Sequence, residues 1–356
     1  MAFSAAELAS IANAALDFHF RGQPLAQSIQ DKPLLASIEG SRKTFPGGKG
    51  DITLPVKGKY AFEGAAPAPG SLEGYTHNDQ VGYGNIAGIE RAKYPWRETH
   101  TGFTLTFTEL KIDGISVTDS AFGKNTSNHS RRELHAITNI MQDKVESFSE
   151  ITERALNTMF WGDGTADPLG FLGLRYFLTA TPAAGVTGGL DRAANVWWRN
   201  RYASWPAATT ELPNTIHTEM RQLRRYGGRP RLALAGSAFL DALVAQLRDK
   251  GYYTDQGWSR PDSTNIAVAD IHYNELQFKY DPTLDDLDTG GGAGSGAKDC
   301  YIIDPRRLFM YAMEDEWGKD HNPARPHDVY ALYRARTYTG QLVATQLNCH
   351  GRYAIT

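Results

Sequence analysis

Cysteine is nearly absent from this chain: Cys300 and Cys349 are the two thiols in 356 residues. Two thiols cannot build the disulfide framework that staples small secreted domains, and they fit folding in a reducing cytoplasm. Long apolar runs are lacking too. No stretch of about eighteen apolar residues occurs, which excludes a transmembrane helix. The N-terminus has no basic segment followed by an apolar core, so no secretory signal is read and a soluble intracellular protein is expected. Charge of one sign is not in excess either, with 37 Lys+Arg against 40 Asp+Glu and a net charge of −3. The chain as a whole therefore has no general electrostatic affinity for nucleic acid or for an anionic membrane.

Catalytic signatures are missing as well. The run from Gly290 to Gly296 lacks the Lys and Ser/Thr of a P-loop, because Ala297-Lys298-Asp299 follows it and leads into a strand. Asp163 and Asp167 lack the alternating oxygen ligands and closing glutamate of a calcium loop, so a turn is expected there. Asp320, His321, His327 and Asp328 cluster in what reads as a surface loop without thiols or helical spacing, which argues against a metal site. No serine sits in a nucleophile elbow, and neither cysteine lies in a catalytic signature. Neither catalysis, a cofactor nor a metal is expected.

What the chain does have is aromatic mass, with seven Trp, seventeen Tyr and fifteen Phe, and one very long helical pattern. From Ser130 to Trp161, Leu134, Ile137, Met141, Val145, Phe148, Ile151, Ala155 and Met159 recur in steps of three or four. Ser130 and Glu133 have capping-box spacing, and Gly162 is placed as the C-terminal cap. Such a helix is about 45 Å long, far beyond the globular average of roughly 11–12 residues. Opposite the apolar stripe, Asp143, Glu146, Glu150 and Glu153 form an acidic track. It reads either as a solvated face or as a docking track for a basic segment of another subunit, where Arg42, Lys43, Lys49, Lys57 and Lys59 face only Asp51.

The remaining pattern is mixed. Residues 4–18 read as a short helix, and the chain from Gly22 to Pro33 as an extended arm in which two prolines block helix. Residues 40–100, rich in glycine and proline and without a clear core pattern, hold strand-like Ile52–Val56 and Lys59–Phe62 and read as a projecting β-ribbon that finds its partners on another molecule. Phe103–Leu110 alternates as a strand and Ile112–Val117 continues it. Residues 213–272 read as an α/β unit: helix 214–226, strand 232–235, a helix capped by Ser237, and a strand 266–271. Leu276–Tyr280 and Cys300–Ile303 read as a hairpin across the glycine run, and Thr337–Asn348 as a long returning strand.

This order of parts resembles the major capsid protein of a tailed bacteriophage, the Hong Kong 97-type fold. Tyr94-Pro95-Trp96, Asp167-Pro-Leu-Gly-Phe-Leu-Gly173 and Asp299-Cys-Tyr-Ile-Ile-Asp-Pro305 are similar to phrases of such proteins. The resemblance implies an α+β chain divided into an N-terminal arm (1–38), an extended loop (39–105), a peripheral domain (106–164 and 311–356) with spine helix 130–161, and an axial domain (165–310). It implies a non-enzymatic protein that self-assembles through hexamers and pentamers into an icosahedral head shell, located in the virion and assembled in the host cytoplasm. Lys49, Lys57, Lys59, Trp96, Asp143, Glu146, Glu150 and Glu153 are the expected subunit-interface residues. Implied partners are further copies of the chain, a separate scaffolding protein, a portal and non-specifically contacted DNA, with a decoration protein left open and no membrane. Some members crosslink a loop lysine to a neighbour's asparagine, but no motif here identifies the asparagine or the catalytic glutamate. Two rivals stay open: an encapsulin-type nanocompartment of the same fold, and an α/β enzyme with long insertions.

Overall fold

The structure is a computed structural model that describes residues 30–47, 50–58, 62–63, 74–79, 85–86, 88–106, 108, 131–207, 210–249, 271–273, 275–287, 296–321 and 331–356. Residues 1–31 separate from the rest as a unit of their own, and the architecture below is that of residues 32–356. The expected helix at 4–18, strand 112–117 and most of the glycine run lie outside the described residues.

The chain enters through helix α1 (Pro33–Gly40), which buries Leu34, Leu35 and Ile38. Pro33 was expected to keep the chain extended. It instead opens the helix, because the first turn needs no proline N–H and the ring presets φ. The expected long helix forms as α2 (Arg131–Trp161), and α1 lies against it: the Leu35 N–H donates to Asn157 Oδ1 at 3.2 Å. The Asn157 amide in turn donates to Thr283 Oγ1 at 2.7 Å. Gly173 sits where a Cβ would come within 2.4 Å of the Gly162 carbonyl oxygen, so only glycine lets the 163–173 loop fold back on the C-terminal end of α2.

Two larger sheets flank this helix. The first is four-stranded and contains β1 (Lys43–Phe45), β6 (Arg97–Thr106), β14 (Leu308–His321) and β15 (Ala331–Ala344), in the order β1-β14-β15-β6. β15 runs antiparallel to β6 over ten residue pairs, from Ala331↔Thr106 to Gly340↔Arg97. The β14–β15 register shifts around Trp317, beside Asp315 and Gly318 at positive φ, as in a β-bulge.

The second sheet is six-stranded: β9 (Arg201–Trp205), β10 (Leu232–Ala235), β11 (Ile271–Tyr273), β12 (Leu276–Tyr280), β13 (Asp299–Ile303) and β16 (Gly351–Ile355), in the order β11-β12-β10-β13-β16-β9. Successive side chains point to opposite faces, and both faces are buried. Ala233, Ala235, Phe278, Cys300, Ile302 and Tyr353 pack with helices α4 (Leu212–Arg224) and α5 (Ser237–Asp249). Leu234, Tyr301 and Ile303 turn the other way, into the core shared with α2. Between the sheets in sequence lie the short helix α3 (Leu174–Phe177) and the hairpin of β7 (Val186–Thr187) and β8 (Leu190–Asp191). Helix α6 (Pro282–Asp286) follows β12.

Three expectations are corrected here. Strands β12 and β13 form no hairpin: β10 lies between them, parallel to β12 and antiparallel to β13. Asp320 and His321 end a strand rather than sit in a loop. The block 311–356 does not stay together, since β16 pairs with β13 and β9 in the six-stranded sheet.

Candidate assembly interface

The long helix uses only part of its apolar stripe within the chain. Phe148, Leu156, Phe160 and Trp161 are buried, with Thr152 and Asn157 beside them, and Phe103 of β6 lies 5.0 Å from Phe148 between ring centroids. Val145 and Ile151, expected on the buried stripe, are 48% and 62% exposed, and Ala155 is exposed as well. Three-and-four spacing identifies an apolar face but not which molecule covers it.

On the acidic track, Glu146 and Glu153 are exposed and Glu150 is half-buried, while the Asp143 side chain lies outside the described residues. The chain itself supplies a cation. Lys32, just before α1, places Nζ 2.6 Å from Glu150 and 3.3 Å from Glu153. Arg154 adds a 3.6 Å contact to Glu150. Two of the basic residues expected to reach a neighbour are engaged at home: Arg42 lies over the Trp317 ring at 5.7 Å, and Lys43 over Phe309 at 3.7 Å. Lys57 is exposed, and Lys49 and Lys59 lie outside the described residues. Reversing Glu150 alone with Glu150→Lys should cost about 1 kcal/mol, and adding Lys32→Glu should recover most of it. Urea midpoints of the two singles and the double measure the coupling; additive effects would mean that the pair does not form within one chain.

The base of the ribbon departs from expectation. Strands β2 (Asp51–Val56) and β5 (Glu90–Pro95) pair from Asp51↔Pro95 to Val56↔Glu90. Ile52, Val56, Ala92 and Tyr94 face the chain's own core. The Tyr94 hydroxyl donates to the Ala344 carbonyl at 3.1 Å, and the Lys93 N–H donates to the Gly188 carbonyl at 2.9 Å. Burial pushes the Tyr94 phenol well above its ordinary range. Trp96 is half-buried against the same core, between β5 and β6. Residues 51–56 and 90–95 thus have a core pattern, and the reading of residues 40–100 as wholly unpartnered is overturned for these strands. Outward along the ribbon, β3 (Phe62–Glu63) pairs with β4 (Asn85–Ile86).

Of the residues considered for metal chemistry, His327 and Asp328 lie outside the described residues, and the others are engaged locally. Asp163 accepts the Thr165 N–H, and Asp167 accepts the Leu169 N–H, as in Asx turns. Asp320 takes both forks of Arg336, and His321 Nε2 contacts Thr337 Oγ1 at 2.8 Å. Among the described residues no three His, Cys, Asp or Glu side chains gather as metal ligands. No helix among them is long and apolar enough to cross a membrane.

A buried polar cluster that sequence reasoning missed sits in the turn between β15 and β16. His350 Nδ1 accepts the Asp304 N–H at 3.1 Å, so the ring is held neutral, and burial pushes its pKa down to about 4. The unfolded chain then binds a proton that the folded chain refuses. Stability is intact above the ordinary histidine pKa and should fall as pH drops from about 6.5 towards about 4, by about 3 kcal/mol at most. Burial raises Asp281 and Asp299, which act in the opposite sense, so the comparison of wild type with His350→Gln isolates the effect. If the two melt in parallel across this pH window, the histidine does not cause the acid sensitivity.

A long helix crossed by β6, a two-stranded ribbon, a four-stranded sheet and a helix-flanked six-stranded sheet together make the Hong Kong 97-type capsid fold, and this chain has it. The capsid asymmetric unit of cyanophage A-1(L) matches with a TM-score of 0.64 at 14% identity, over 93% of this chain and 94% of that one. A Mycobacterium phage Ogopogo structure matches at 0.55 and 9% identity, over 94% and 95%. The capsid of Myoviridae phage XM1 matches at 0.52 and 11%, again over 94% and 95%. No family model matches the sequence, and neither does any curated protein.

Proposed function

We propose that this chain is the major capsid protein of a tailed bacteriophage, assembling through hexamers and pentamers into an icosahedral head shell around double-stranded DNA. The observation that carries this reading is the agreement in fold with phage capsid structures across nearly the whole length of both chains. On this reading residues 1–38 are the arm, 39–105 the extended loop, α2 the spine of a peripheral domain, and the six-stranded sheet the axial domain. The exposed Val145 and Ile151, the acidic track and the ribbon beyond its packed base are then completed by neighbouring copies. Scaffolding protein, portal and packaged DNA are the remaining partners, the virion is the location, and no catalysis is assigned.

Electron microscopy of purified full-length protein tests this. Closed shells are expected, with nuclease-protected DNA inside those formed together with the portal and scaffolding partners. Shells holding a co-purified enzyme would assign an encapsulin-type compartment instead, and a compact monomer in sizing chromatography would revive the enzyme reading. Because the ribbon base belongs to the core, the informative deletion spares it: replacing residues 64–84 with a short Gly-Ser link should leave the melting midpoint unchanged and abolish shells. Normal shells from that variant would remove the ribbon from the assembly mechanism.

A further inference from the structure

Away from these surfaces, arginine is concentrated at one end of the six-stranded sheet, where Leu232 of β10 pairs with Ile303 of β13. The loop entering β10 and the loop leaving β13 are joined by the buried Asp304. Its carboxylate accepts the Arg229 N–H at 3.0 Å and the Arg306 N–H at 3.1 Å, and its carbonyl accepts the Arg307 N–H at 3.0 Å. A third loop is tied in: the Thr345 N–H donates to the Arg307 carbonyl at 2.8 Å, and the Gln346 amide donates to the Tyr226 carbonyl at 3.1 Å. Gly228 lies so close to Cys349 that a Cβ would meet the Cys349 Cβ at 2.3 Å. The result is a rigid platform assembled from three separate segments.

From it project Arg229, Arg231, Arg306 and Arg307, all exposed, with Arg225 lying over the 60% exposed Tyr226 ring at 5.5 Å. Basic residues in the last turn of α4 need no special explanation, since they complement the helix dipole, and Arg224 pairs with Glu275 at 2.7 Å. The four platform arginines are different. They lie beyond the helix, and among the described residues no ion pair takes up their side chains. A local excess this strong is conspicuous in a chain whose net charge is −3.

We infer that this platform is a docking surface for the phosphate backbone of double-stranded DNA, an inference that rests on the proposed shell function. Guanidinium forks match phosphate oxygens, and backbone contact needs charge and fixed spacing rather than base readout. An acidic protein partner is less well matched, because protein interfaces centre on buried aromatic and aliphatic anchors and the platform offers only Tyr226.

The test uses full-length protein and a short labelled DNA duplex, with anisotropy titrations between about 50 and 200 mM salt. Substituting all four of Arg229, Arg231, Arg306 and Arg307 by Gln should weaken binding about tenfold or more and make the salt slope shallower by about three to four. The matching Arg→Lys set should restore most of the slope, since it keeps the charge, whereas Arg91→Gln with Lys93→Gln should change little. Unchanged DNA binding by the Gln set would overturn the inference. So would a Gln set that loses poly-glutamate binding but keeps DNA binding, which would indicate an acidic protein, or one that loses only shell formation, which would indicate a subunit contact. Wild-type protein that stays a compact monomer even with its scaffolding partner would instead refute the proposed function, independently of these titrations.

Discussion

Trp161→Ala is expected to lower the stability of the folded chain by about 4–8 kcal/mol, a large share of the roughly 5–15 kcal/mol that holds a typical domain together. The indole is fully buried at the C-terminal end of α2, with its ring 5.0 Å from Tyr301 in an edge contact. Its Nε1 donates to Asp281 Oδ2 at 3.0 Å, while Asp281 Oδ1 accepts the Thr283 N–H that starts α6. Truncation therefore does two things. It opens a cavity where α2, β13 and α6 meet, costing about 3–5 kcal/mol, and it takes one donor from a buried carboxyl, costing about 1–3 kcal/mol. Burial already pushes the Asp281 pKa up, so the carboxyl would then tend to hold its proton. Trp161→Phe fills most of the cavity and isolates the lost hydrogen bond, so it should cost clearly less. Urea unfolding of both variants decides the matter; equal midpoints would show that packing around the ring contributes little.

How much of this was legible in the sequence depends on how local each signal is. The long helix was readable to within a residue, because its apolar spacing persists across 31 residues with no glycine or proline. Strand β10 and helix α5 were readable for the same reason, with a short apolar run, Gly236 and then Ser237. Strand β14 was not, since its outer half reads Glu314-Asp-Glu-Trp-Gly-Lys-Asp-His321 and becomes a strand only by pairing with β15. The strand at Ile52–Val56 was readable from its period-two signal, but the surrounding glycine and proline masked the fact that Ile52, Val56, Ala92 and Tyr94 pack on the chain's own core. For the candidate interface, sequence located the acidic track but not its partner, because Lys32 lies 118 residues from Glu150 and belongs to no basic run. The arginine platform was the least visible feature. Its members come from separate loops and converge only through Asp304.

Arg192→Met should have the second large effect, of about 3–5 kcal/mol, and should act on the ribbon as well as on stability. Arg192 is a buried cation held without a carboxylate among its partners. It donates to Thr187 Oγ1 at 2.7 Å, Thr179 Oγ1 at 3.1 Å, Asn200 Oδ1 at 2.8 Å, and the Tyr176 and Phe177 carbonyls at 3.3 and 2.7 Å. Burial pulls its pKa down, but the five contacts replace the lost water, so the guanidinium serves as the hub joining the end of α3 to the β7–β8 hairpin. The hairpin in turn holds the ribbon: the Gly188 carbonyl takes the Lys93 N–H, and Gly188 lies against the Tyr94 ring, where a Cβ would come within 2.9 Å. A methionine fills much of the space yet leaves those acceptors without donors. Hydrogen exchange should then quicken at the Lys93 and Thr187 amides well before the whole domain melts. Arg192→Lys keeps the charge but lacks the planar fork, so it should recover only part of the loss. If Met at this position melts within about 1 kcal/mol of wild type and leaves Lys93 protected, the hub has no hold on the ribbon base, and the ribbon's aim must be set by its own β2–β5 pairing.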